Sequence, residues 1–179
     1  MKNPRRIGGF IIKRVSNHLT QPLISAIGAK GKNSYMSHVT KMNLIITNLD
    51  TLKQAAGELG LYFREQDTYR WYGHFVGDYP LPEGFAKEDL GKCTYAMGIE
   101  GDKHAYEVGV VKRKDGKGWD MMHDFYMGGH GLVDVIGDDG TNLKTGYTKT
   151  LTVNEARKNG FRVKERRNEH NQVELTLFK

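Results

Sequence analysis

The feature of this sequence that most restricts its fold is a pattern that occurs twice. Residues 56–64 read Ala-Gly-Glu-Leu-Gly-Leu-Tyr-Phe-Arg, and residues 156–164 read Ala-Arg-Lys-Asn-Gly-Phe-Arg-Val-Lys. In both segments the end of a helix is followed by a glycine, Gly60 or Gly160, and then by the apolar start of a strand. An internal duplication and a repeated way of ending a helix beside a sheet both explain the pattern. Either interpretation predicts the α+β class.

The other patterns predict a mainly antiparallel sheet with two helices on one face. Asn48 and Asp50 are both suitable N-caps for a first helix, whose apolar stripe runs to residue 59. Thr152 and Glu155 fit a capping box at the start of a second helix over residues 152–159. Alternation and β-branched residues predict strands over residues 42–47, 61–64, 69–76, 93–99, 105–112, 119–127, 132–136, 161–166 and 172–178.

The excess positive charge of the chain, +6 at pH 7, lies in its first 35 residues. That segment holds seven basic and no acidic side chains, whereas residues 36–179 hold 20 basic and 21 acidic ones. Three interpretations are open: a phosphate-binding tail, a targeting segment, or an extension upstream of a start at Met36. We expect a basic, poorly ordered arm over residues 1–35 and a single α+β domain over residues 36–179.

Motifs at both ends of residues 36–179 point to a family. Residues 36–40 read Met-Ser-His-Val-Thr, residues 48–52 read Asn-Leu-Asp-Thr-Leu, and a Leu-Gly stop follows at residues 59–60. The C-terminal part has Glu-Ala at residues 155–156, Gly-Phe at 160–161 and Val-Glu-Leu-Thr-Leu at 173–177. With these motifs the chain resembles a small family of unknown function from cyanobacteria, red-algal plastids and phages. The resemblance implies a fold but no activity, and the Gly-Gly-His-Gly stretch at residues 128–131 departs from the family pattern.

Aromatic and basic residues are interleaved in residues 69–75, Tyr-Arg-Trp-Tyr-Gly-His-Phe. On a strand this order is typical of sheets that stack single-stranded bases between cations. The alternative is a strand whose apolar face is core and whose polar face is solvated. The candidate partner-binding residues here are Arg70, Trp71, Tyr72 and His74.

Two further basic groups are candidates for contact with phosphate or with a protein partner. Lys112, Arg113 and Lys114 lie at a predicted hairpin tip beside Asp115-Gly116, and Arg162, Lys164 and Arg166 lie on the outer face of the last hairpin. The alternative is that these side chains only keep the protein soluble and protect strand edges.

Three histidines are candidate ligands of a divalent metal ion. His104, His123 and His130 are the candidate ligands, with Asp124 and Asp134 close to them in sequence. Adjacent strand residues point to opposite faces, so the spacing of His123 and Asp124 argues against a shared metal and for ordinary histidines.

Other chemistry is poorly supported. The single cysteine, Cys93, excludes an internal disulfide framework and fits a half-buried structural thiol. No nucleotide fingerprint or nucleophile elbow is present, so we expect no cofactor and no catalytic residue.

These patterns favour a non-enzymatic accessory module that binds a macromolecular partner, either a protein or a nucleic acid. One alternative is a nucleic-acid-binding protein that uses the aromatic strand and the basic hairpin, and a second is a metal-dependent enzyme. No run approaches the ~18 apolar residues of a membrane span. We therefore expect no membrane partner and a cytoplasmic location, or an organellar one if residues 1–35 are a transit segment.

Overall fold

The computed structural model describes residues 38–77, 79–167, 169 and 173–179. The predicted arm over residues 1–35 lies outside the described residues. The described chain falls into two compact units, one ending at Thr152 and the other beginning at Val153. Each unit is described by itself.

The first unit contains a five-stranded antiparallel sheet, which confirms the predicted α+β class. Its strand order is β1-β5-β4-β3-β2, so β1 and β2 form the edges. The strands are β1 (Val39–Lys41), β2 (Leu61–Glu65), β3 (Tyr95–Ile99), β4 (Val108–Lys112) and β5 (Trp119–Asp124). The helices are α1 (Leu49–Glu58), α2 (Leu132–Ile136) and α3 (Thr141–Lys158), of which α3 belongs to this unit as far as Thr152.

One face of the sheet is covered by helices, as predicted. Its strands contribute fully buried side chains such as Met97, Val108 and Met121, which form one core with residues of α1, α2 and α3. Asn48 caps α1, because its side chain accepts a hydrogen bond of 2.9 Å from the Thr51 amide. We refer to this side of the sheet as the helix face.

The other side, which we call the loop face, is covered by the connection between β2 and β3. The strands there carry small residues, and a Cβ atom added to Gly109 would overlap the ring of Tyr69. Tyr69 and Leu90 are buried on this face, and Trp71 and Phe75 are half-buried on it. The predicted strand over residues 69–76 is therefore wrong. Within the described residues, this connection pairs only through the Thr68–Lys92 bridge, and the amides of Arg70 and Tyr72 bond to side chains instead of to a neighbouring strand.

Three other local predictions are wrong. Residues 132–136 form α2 rather than a strand, because a segment of five residues is too short to distinguish the two periods. Thr152 is not an N-cap, since α3 begins at Thr141 and the Thr152 hydroxyl donates to the Thr148 carbonyl oxygen at 2.8 Å. Residues 42–47 contain only a single bridge, from Ile46 to Trp119.

The second unit contains the predicted C-terminal hairpin, formed by β6 (Arg162–Arg167) and β7 (Val173–Phe178). Gly160 precedes it with φ +77°, close to the φ of +74° at Gly60 after α1. Only glycine adopts this region at little cost, so both helices end in the same way. The shared geometry agrees with either interpretation of the repeat, and the duplication stays a prediction.

Candidate partner-binding surface

The guanidinium of Arg70 is used mainly for contacts within the protein. Its Nε donates to the Ala105 carbonyl oxygen at 2.9 Å, and its Nη2 donates to the Tyr62 hydroxyl at 3.1 Å and the Asp102 carbonyl oxygen at 3.2 Å. The remaining nitrogen, Nη1, pairs with Glu107 at 3.2 Å. All three guanidinium nitrogens thus have partners within the fold, although the Arg70 side chain is 40% exposed.

Glu107 is the buried partner of Arg70 and is only 2% exposed. Besides the ion pair, its carboxylate accepts from the Arg70 amide at 2.6 Å, from Gln66 at 3.2 Å and from the Tyr62 hydroxyl. Burial, and then the hydrogen bond to Glu107, raise the pKa of Tyr62 to about 12. Glu107 therefore fastens the loop to the sheet at residue 70.

Asp124, at the end of β5, fastens the same loop two residues further on. Its fully buried carboxylate accepts from the amides of Tyr126 at 2.9 Å, His38 at 3.2 Å and Tyr72 at 3.2 Å. These three donors come from segments that are distant in sequence. All three residues carry aromatic rings, so one carboxylate brings three ring-bearing segments together.

The rings around Asp124 lie partly in solvent and form what we call the aromatic surface. Tyr72 is 49% exposed and lies 5.3 Å from Tyr126, measured between ring centroids. Tyr79 is 51% exposed and stacks on His38 at 4.7 Å. The aromatic surface consists of His38, Tyr72, Tyr79, Tyr126, Met127 and His130.

A left-handed turn presents the last two members of the aromatic surface. Residues 127–130 have φ values of +47°, +66°, +60° and +52°, and Met127 and His130 are not glycines. Such a conformation costs roughly 1–2 kcal/mol for each non-glycine residue. The Gly129 carbonyl oxygen accepts from the Tyr106 amide at 2.9 Å, and the His130 ring lies 4.8 Å from the Tyr106 ring. The turn leaves Met127 62% exposed beside Tyr126.

The other residues of the predicted aromatic strand are divided between core and surface. Trp71 packs beside Gly91 within the loop-face core. His74 is exposed and lines a small cleft with His38 and Tyr79. The structure thus exposes Tyr72 and His74 and leaves Arg70 and Trp71 half-buried.

The basic group at the β4–β5 hairpin is largely engaged within the protein. Arg113 pairs with Asp115 at 2.9 Å and with the buried Asp120 at 3.0 Å. Lys114 donates to the Gly84 carbonyl oxygen at 2.9 Å, while Lys112 is exposed. Arg113 thus ties the hairpin together, and Lys114 links it to the connection on the loop face.

The basic residues of the second unit have a different environment. Arg162, Lys164 and Arg166 are all exposed and lie on one face of β6. Arg166 pairs with Glu174 at 2.6 Å. This is the one predicted basic group that the structure keeps together on an open surface.

The three candidate metal ligands are not brought together. His104 is exposed, His123 is fully buried in β5, and His130 lies on the left-handed turn. Among residues 38–77, 79–167, 169 and 173–179, no three His, Cys, Asp or Glu side chains are grouped to hold a metal ion.

The remaining reactive groups are enclosed. Burial lowers the pKa of His123 to about 4, and its Nε2 lies 3.2 Å from the Thr40 hydroxyl. Burial raises the pKa of the Cys93 thiol to about 12, and the thiol donates to the Gln66 carbonyl oxygen. Neither group is poised for nucleophilic or general-base chemistry. Within the described part of the chain, no helix is long and apolar enough to cross a membrane.

Comparisons with known proteins do not extend this description: no protein-family model, curated protein or solved structure matches the chain. The family resemblance at the two ends of residues 36–179 therefore stays a prediction.

Sequence reasoning missed four members of the aromatic surface, His38, Tyr79, Tyr126 and Met127, and the role of Asp124. A signal was present in the Gly-Gly-His-Gly stretch, because glycines flanking a histidine indicate a backbone with positive φ. The three amides that bond to Asp124 come from positions 38, 72 and 126, and no local pattern reveals them.

Proposed function

We propose that the protein is a non-enzymatic accessory module that binds a basic segment of a partner protein on the aromatic surface. The observation that carries the proposal is the convergence of three ring-bearing segments on buried Asp124. A contiguous exposed apolar patch on a folded protein marks an interaction site. Tyrosine and methionine are among the residues enriched at protein interfaces.

Electrostatics favour a protein partner over nucleic acid at this surface. Residues 38–152 hold 13 basic and 17 acidic side chains, so the unit attracts cations rather than phosphates. Each nitrogen of the Arg70 guanidinium already contacts a group of the fold, which reduces its value as a phosphate ligand. Exposed tyrosine rings bind arginine and lysine through cation–π contacts.

The test is a selection of random peptides displayed on phage against the purified full chain. Selected peptides are then synthesised and titrated by calorimetry. We expect them to be rich in Arg and Lys, and the double variant Tyr72→Ser/Met127→Ser to weaken binding at least tenfold, as for interface hot spots.

The matched control is Ile45→Ser, which removes an exposed apolar side chain beside Gly118, near the opposite end of β5. Its affinity for the same peptides should stay within about twofold of wild type, in line with a peripheral site. Peptides without a basic preference, or an equal loss in the control and the double variant, would contradict the proposal.

A further inference from the structure

We infer that the outer face of the β6–β7 hairpin is a second binding site, which takes single-stranded nucleic acid. The register fixes this face, because Arg162 lies opposite Phe178, Lys164 opposite Thr176 and Arg166 opposite Glu174. Cross-strand partners in an antiparallel pair share one face of the sheet. We call these six residues the hairpin face.

The charge of the hairpin face is available for binding. Among the residues that the structure describes, no acidic side chain pairs with Arg162 or Lys164, whereas Arg166 is held by Glu174. Residues 153–179 hold seven basic and four acidic side chains, the opposite balance to residues 38–152. Exposed cations of this kind bind phosphates and release counterions.

The exposed ring of Phe178 favours nucleic acid as the ligand of the hairpin face. It is 45% exposed and lies on the cationic face, while Leu175 and Leu177 point to the other face and are half-buried. An aromatic ring that served only the core would lie with those leucines. A ring beside an arginine and a lysine offers one base a stacking surface and its neighbouring phosphates two cations.

The exposed ring also favours single-stranded nucleic acid over two other polyanions, a duplex and an acidic peptide. In a duplex both faces of each base are already stacked, so Phe178 has no base to contact without unstacking one. An acidic peptide would use the cations and leave the ring without a planar partner. The hairpin face therefore fits an unpaired strand best.

The site does not depend on the proposed function. All six residues belong to the unit that begins at Val153, and the aromatic surface belongs to the unit that ends at Thr152. A variant of one surface leaves every residue of the other unchanged, so the two proposals fail separately.

The experiment is fluorescence anisotropy of the full chain with labelled oligo(dT) and oligo(U) of about 15 nucleotides, and with a duplex of the same length. We expect Phe178→Ser and Phe178→Leu to weaken single-strand binding about tenfold and to leave duplex binding unchanged. The leucine variant keeps the apolar bulk and removes only the ring.

The cations are tested by salt dependence. Arg162→Gln/Lys164→Gln should lower the slope of log affinity against log salt by ~1.4, since each single-strand phosphate contact contributes ~0.7. The matched control Lys53→Gln/Lys103→Gln removes the same charge from exposed positions in the first unit and should leave the slope unchanged.

Results of three kinds would overturn the inference. One is an equal loss in the hairpin and control variants, which would mean nonspecific charge. Another is a loss only in Arg5→Gln/Arg6→Gln, which would assign binding to the N-terminal segment. The third is indifference to both Phe178 variants, or tighter binding of polyglutamate than of oligo(dT), which would make the face a general or acidic-protein site.

Discussion

The two faces of the five-stranded sheet are covered in different ways. On the helix face, aliphatic side chains such as Met97, Val110 and Met121 pack against helices. On the loop face, the covering segment is irregular, and three buried carboxylates lie in the strands or directly before one, those of Glu107, Asp120 and Asp124. Glu107 and Asp124 accept hydrogen bonds from backbone amides of the loop.

The difference follows from where backbone hydrogen bonds go. A helix satisfies its own amides, so apolar contact is enough to hold it against a sheet. A loop that covers a core has amides without backbone partners, and each buried one costs free energy unless an acceptor meets it. The loop face supplies those acceptors, and one of them, Asp124, also brings together the aromatic surface.

The largest expected effect comes from removing the Glu107 carboxylate, which pairs with the Arg70 guanidinium and accepts a hydrogen bond from the Arg70 backbone amide. We expect Glu107→Ala to lower the free energy of unfolding by about 3 kcal/mol, because it removes a buried carboxylate that pairs with half-exposed Arg70 and leaves the Arg70 amide without this acceptor. Urea denaturation followed by circular dichroism measures the change.

The matched control is Glu100→Ala, which removes a glutamate paired with an arginine, Arg64, at 3.0 Å on the surface. Exposed pairs contribute about 0–1 kcal/mol, so this variant should be nearly as stable as wild type. If the two variants lost equal stability, the loop face would not depend on its buried acceptors.

The next effect concerns the helix face, which buries an ionisable group without a charged hydrogen-bond partner. Burial lowers the pKa of His123 to about 4, with Asp139 and Asp124 acting to raise it and Lys144 to lower it. Between pH 6.5 and 4 the unfolded histidine binds a proton that the folded one does not. Stability contributed by neutral His123 is therefore present above pH 6.5 and is lost toward pH 4, by about 3 kcal/mol.

Unfolding free energies measured from pH 7 to pH 4 check this prediction. Because carboxylates also titrate in this range, the informative quantity is the difference between wild type and His123→Gln. That difference should change with pH, whereas the difference between wild type and His74→Gln, at an exposed position, should change less. Parallel curves for all three proteins would refute the assignment.

A smaller loss of stability is expected for Asp124→Asn, together with a loss of the aromatic surface. If the asparagine oxygen keeps the amides of His38 and Tyr126, its NH2 group faces the Tyr72 amide, and two donors then meet. We expect a cost of about 2 kcal/mol and faster hydrogen exchange at Tyr72. Asp134→Asn, on the exposed side of α2, is the control and should change neither quantity.

The same contrast explains which features could be predicted from the sequence. The cap at Asn48, the stop at Gly60 and the β6–β7 hairpin depend on neighbouring residues, and all three are confirmed. The alternation in residues 69–76 was interpreted as a strand because it places rings on one side and polar groups on the other. That interpretation failed because Glu107, just before β4, and Asp124 in β5 accept hydrogen bonds from two amides of this segment.

The smallest effect uses the single thiol as a probe of the loop face. Burial, and then the charges of Glu107 and Asp67, raise the pKa of Cys93 to about 12. Since the thiolate is the reactive form, iodoacetamide at pH 8 should alkylate the folded protein at least tenfold more slowly than the urea-unfolded chain.

Glu107→Gln keeps an acceptor in place and removes one of the charges, so it should speed alkylation modestly while Glu100→Gln does not. Equal rates in the folded and unfolded protein would show that the loop does not enclose Cys93, and the contrast between the two faces would then be limited to Glu107 and Asp124.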